Sequence, residues 1–80
     1  MRDALKLQEE LLTLTKADVD IEQAKERIKQ QELILRKLDG AGDDREDAEE
    51  LLATFNDALQ AMELHRTAIV HEIERLRREA

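Results

Sequence analysis

Leu38-Asp39-Gly40-Ala41-Gly42-Asp43-Asp44 holds both glycines of an 80-residue chain that contains no proline. Gly and Pro are the strongest local breakers of regular structure. The stretch lies near the midpoint and separates two long, charged, periodically apolar segments. It predicts one turn joining two helices: helix 1 about 3–39, turn 40–43, helix 2 about 44–78. The whole chain, 1–80, then forms one small domain. Gly40 suits the left-handed position that ends helices, with Ala41 as the following apolar contact. Arg36 and Lys37 place cations where the helix dipole favours them. Asp43 with Glu46 reads as a capping box opening helix 2, and Asp44 with Asp47 is an equal alternative.

Upstream of the turn, Leu7, Leu14, Ile21, Ile28 and Leu35 recur every seven residues. Ala17, Ala24, Gln31 and Leu38 occupy the companion positions three residues on. Downstream, Ala48, Leu52, Phe55, Leu59, Met62, Arg66, Ile69, Ile73 and Leu76 alternate spacings of four and three. Both are heptad seams of the coiled-coil kind. A short turn makes the helices antiparallel neighbours. Facing residues should then have numbers summing to about 86: Leu35 with Leu52, Gln31 with Phe55, Ala24 with Met62, Leu14 with Ile73. Gln31 has two readings, a register-fixing buried amide or a side chain that reaches solvent. Arg66 in the seam needs a carboxylate or an exit to water. Asp18 and Glu22 lie within reach of it, so Gln31, Arg66, Asp18 and Glu22 form the expected buried polar set. Along each helix, Glu32 with Arg36 and Glu74 with Arg78 are i,i+4 pairs in the favourable order.

A hairpin needs one apolar stripe per helix, and this chain has more. Leu5, Leu12 and Val19 repeat every seven residues at roughly 120–160° from Leu7. Ala61, Leu64 and Ala68 lie roughly opposite Leu52. Both sets fall in the half of the hairpin away from the turn, with Val19 level with Leu64 and Ala68. Leu33, Ile34 and Leu51 widen the seam near the turn. Single exposed leucines are ordinary on soluble proteins. Stripes on both helices at one level are better explained by a partner. Two helices also bury little core, and chains this short usually need a staple or an oligomer. A homodimer closing into a four-helix bundle is therefore expected, with Leu5, Leu12, Val19, Ala61, Leu64 and Ala68 at its interface.

The composition, 41% apolar and 41% charged, suits long helices or coiled coil. Cysteine is absent, which excludes disulfides, thiol catalysis and zinc–thiolate sites. The net charge of −7 is uneven. Residues 43–63 hold eight acids against Arg45 alone. That acidic stretch disfavours phosphate backbones and anionic lipid headgroups. No apolar run approaches the length of a membrane span, and no signal peptide is evident, so a soluble cytoplasmic protein is expected.

Catalytic chemistry finds little foothold. His65 and His71 are six residues apart, on different helix faces. Neither sits in E-x-x-H or H-E-x-x-H, so the di-iron and zinc-helix patterns are missing. The adjacent acids Glu49-Glu50 and Asp43-Asp44 do not share a face. Serine is absent, and Gly40-Ala41-Gly42 leads into acids rather than the lysine of a phosphate loop. No enzyme activity, cofactor or metal is expected. Nucleic-acid binding would rest on Arg75, Arg77 and Arg78, with no aromatic platform for single strands.

From Arg27 to Leu76 the chain resembles small uncharacterised helical proteins of rhizobial and related α-proteobacterial type. The resemblance rests on Arg27-Ile28, Gln30-Gln31, Ile34, Leu38, Gly42-Asp43, Ala48, Leu51-Leu52, Thr54-Phe55, Leu59, His65-Arg66 and Ile69. It implies a natural bacterial helical hairpin and carries no activity. The resulting expectation is a non-enzymatic protein-interaction module, a small adaptor, regulator or chaperone-like hairpin that self-associates through apolar helix faces. The alternative is a nucleic-acid-associated protein using the C-terminal arginines.

Overall fold

Two helices make up the fold in the computed structural model, which describes residues 2–38 and 42–79. The first, α1, runs Arg2–Lys37, and the second, α2, runs Asp43–Glu79. They pack against each other as an antiparallel hairpin. The Cα envelope is a rod of 60 × 14 × 13 Å. Its length matches two straight helices of this size, each about 54 Å long. The ends differ slightly from expectation: α1 stops two residues earlier and α2 starts one earlier. The roles given to Asp39, Gly40 and Ala41 lie outside the described residues.

The start of α2 corrects the capping assignment. The Glu46 N–H donates to the Gly42 carbonyl at 3.0 Å, which is the first backbone bond of the helix. Gly42 is therefore the N-cap, and Asp43 is already inside the first turn with Asp44. These acids act through the helix dipole, not as caps. A Cβ at Gly42 would meet nothing within 4 Å. Gly42→Ser is thus expected to raise stability by about 1 kcal/mol, through a side-chain cap and a stiffer unfolded chain. Urea denaturation of the two proteins at equal concentration measures this.

At the other side of the turn, the Leu38 N–H bonds back to the Leu35 carbonyl at 3.2 Å, tightening the last turn of α1. Arg45 then reaches across. Its Nη1 donates to the Leu38 carbonyl at 3.2 Å, and its Nε bonds Glu49 Oε1 at 3.1 Å. The only base in the acidic stretch thus caps the C-terminus of α1 from the first turns of α2. Arg45→Met should keep the stem and lose the cap, costing about 1 kcal/mol in thermal or urea unfolding.

The seam carries the core. Ile21, Ala24, Gln31, Ala48, Ile69, Ile73 and Leu76 are buried. Phe55, Leu59 and Met62 are only half-buried, since a two-helix seam leaves one side of each open. The tightest packing lies at the end away from the turn, where Leu76 is 2% exposed. Gln31 takes the first of its two readings. It is buried, and its Nε2 donates to the Ala48 carbonyl at 3.0 Å. Ala48 lies two turns nearer the loop than Phe55, the partner expected for Gln31. Arg66 meets Asp18 and Ala24 shares a cavity with Met62, so the expected register holds to within a few residues, while the Gln31 amide reaches along α2 to a backbone carbonyl instead of facing Phe55.

Candidate interaction surface

The heptad frames fix which way each side chain points. On α1, Ile21, Ala24 and Gln31 are buried against α2, so their stripe faces the partner helix. Leu5, Leu12 and Val19 sit about 180° from that stripe. They are 63%, 72% and 50% exposed. On α2, Ile69, Ile73 and Leu76 face α1, and Leu64 points directly away, 67% exposed. Ala61 and Ala68 flank it and are exposed too. The two outer stripes therefore share a level but lie on opposite sides of the rod. A single flat contact cannot cover both.

Each stripe has a distinct shape. On α1, Leu12 borders a shallow groove formed with Gln8, Leu11 and Thr15. Val19 borders a second groove with Glu22, Gln23 and Glu26. Glu26 occupies the next heptad position after Val19 and ends the stripe. On α2 the equivalent neighbours of Leu64 are Asp57 and His71, so its apolar patch is one leucine between two alanines. Near the turn, Leu33, Ile34 and Leu51 are 46%, 50% and 44% exposed.

Between the helices, polar contacts line the seam. Arg66 Nε donates to Asp18 Oδ1 at 2.5 Å. Both side chains stay about half exposed, so the pair snorkels at the seam edge instead of being buried in it. Glu22, the other carboxylate in reach, pairs with Lys25 at 3.6 Å. Lys6 and Glu72 bridge the open end at 3.9 Å. Exposed pairs like these add little to stability, because water screens both charges.

The C-terminal arginines divide. Arg75 donates through Nε and Nη2 to both oxygens of Glu72, and through Nη1 to Glu79. The Arg75 hydrogen bonds hold the Glu72 carboxyl below its ordinary range, while Glu72 and then Glu79 raise Arg75. Glu74–Arg78 and Glu32–Arg36 are not among the ion pairs of the described residues, and Arg75 draws the acids of its turn instead. A guanidinium held by two carboxylates presents little net charge, which leaves Arg77 and Arg78 as the exposed cations of the cluster.

His65 and His71 are both exposed. No group of three or more metal-ligating side chains occurs among the described residues. No helix of the described residues is long and apolar enough to cross a membrane. No protein-family model, curated protein or solved structure matches the chain.

Proposed function

We propose that this chain is a non-enzymatic interaction module that self-associates through an outer apolar helix face, bringing four helices together in a homodimer. One observation carries this reading. Three large aliphatics, Leu5, Leu12 and Val19, stand half or more exposed at heptad spacing on the face of α1 opposite α2. Heptad spacing of large apolar residues is what a helix needs to receive another helix. An apolar row of this kind on a small, charge-rich rod serves no purpose in the monomer and costs solubility.

The α2 face is the weaker candidate, because one leucine between alanines offers little area. Nucleic-acid binding through Arg75, Arg77 and Arg78 finds less support, since Arg75 is occupied by two glutamates.

Light scattering behind size exclusion, from 10 μM to 1 mM, tests the proposal. A concentration-dependent dimer supports it, and a monomer throughout removes it. Because the two stripes point apart, Leu12→Glu and Leu64→Glu should be made separately. Leu12→Glu is expected to give a monomer of unchanged helicity, and Leu64→Glu to leave the dimer in place.

A further inference from the structure

Resting on that self-association, the geometry points to one arrangement: two copies pair antiparallel through the outer face of α1, about a twofold axis near Leu12. Three features of the sequence and structure lead there.

The first is the length of the stripe. Among the described residues its apolar part is Leu5, Leu12 and Val19, ended by Glu26 and centred on Leu12. A twofold axis near Leu12 sets Leu5 of each copy level with Val19 of the other. The patch on α2, with Asp57 and His71 one heptad to either side of Leu64, is too short to match it.

The second is charge. One edge of the stripe carries Glu9 and Lys16, both exposed. An antiparallel pair places Glu9 of each copy opposite Lys16 of the other, giving two reciprocal attractive pairs. A parallel pair would instead turn this edge toward the opposite edge of the partner, Gln8 and Thr15, and make neither attractive pair. Lys16 is free to make this contact: its side chain is 81% exposed, and its link to Asp20 within α1 spans 3.9 Å.

The third is the opposite edge, which is nearly free of charge around the axis. Gln8, Leu11 and Thr15 line it, and Leu11 comes beside its own mate across the twofold. One edge therefore selects direction through charge, and the other contributes apolar area.

The resulting dimer is staggered. The α1 helices overlap over about 20 residues, or about 30 Å. The turns project to opposite ends, which keeps the two acidic stretches apart and avoids their mutual repulsion. Such a particle is about 90 Å long, against about 60 Å for two hairpins lying side by side.

Charge reversal on the full chain tests the arrangement. Glu9→Lys and Lys16→Glu should each weaken the dimer by at least tenfold in light scattering, and the double variant should restore it. Small-angle scattering should give a maximum dimension near 90 Å. The chain lacks cysteine, so single-cysteine variants report geometry cleanly. Leu5→Cys mixed with Val19→Cys should form the mixed disulfide in preference to the Leu5→Cys homodimer. A dimer indifferent to both charge reversals, or one about 60 Å long, overturns this arrangement and leaves self-association standing. A monomer up to 1 mM overturns both.

Discussion

Leu76→Ala is expected to remove most of the stability of the hairpin, roughly 3 kcal/mol. Leu76 is 2% exposed, and Ile69 and Ile73 continue its stripe at 5% and 4%. Truncation there loses the transfer free energy of the side chain and leaves a cavity that two straight helices cannot collapse to fill. A single small core rarely supplies more than about 3–5 kcal/mol in total, so the variant should be largely unfolded at 37 °C. The measurement is urea unfolding followed by circular dichroism, at micromolar concentration so that association contributes little. Leu12→Ala is the control. That leucine is 72% exposed, and its loss should change monomer stability by no more than about 0.5 kcal/mol. A Leu76→Ala cost below about 1 kcal/mol would mean that the end away from the turn does not hold the hairpin together.

Gln31→Glu should be nearly as damaging at neutral pH and almost silent in acid. The wild-type amide donates from Nε2 to the Ala48 carbonyl, in a position only 7% exposed. A carboxylate there faces a carbonyl oxygen, acceptor against acceptor, with little water to relieve it. Burial favours the neutral form, so the folded-state pKa of the new acid lies above its unfolded value of about 4.3. The penalty is therefore absent below about pH 4, grows as pH rises through the folded pKa, and reaches about 2–3 kcal/mol at pH 7. When protonated, the carboxyl can donate to Ala48 and restore the bond. Unfolding curves of both proteins between pH 3 and pH 8 should converge at the acid end; parallel curves would show that the side chain escapes to solvent.

The two helices were legible because a proline-free chain with paired heptad seams leaves one place for a break. The Arg66–Asp18 pair was legible for a related reason: a cation in an apolar seam must find a carboxylate within about two turns. The register was legible to within a few residues, but not the carbonyl that Gln31 takes, because a long amide side chain can reach along the facing helix. Capping at the turn depends on local chemistry. That chemistry was misjudged, because three acids after a glycine look like caps until the first helical hydrogen bond is seen to end on Gly42. By composition Arg45 is one base among eight acids, and seven residues separate it from Leu38; only the fold brings the two together. The outer stripes were found by periodicity. That they face apart follows from the same 100° arithmetic once each seam is known to be buried.

The offset between the two seams has one more consequence. Counting forward from Leu38, the next seam position of α1's frame is residue 42, whereas the frame of α2, counted back from Ala48 through Arg45, falls on residue 41, so a first-of-pair position expected at 42 comes at 45. The two frames are out of step by three residues, a stammer that would twist the apolar stripe by about 60° if the chain ran straight through. An opened form, with α1 and α2 fused into one continuous rod and exchanged between two molecules, would have to overwind locally to keep both halves on one seam. The phase slip thus weighs against the swapped rod and toward the closed hairpin. Excising residues 39–41 would cancel the slip, bring both frames into phase, and turn the hairpin into a chain equally suited to the swapped rod.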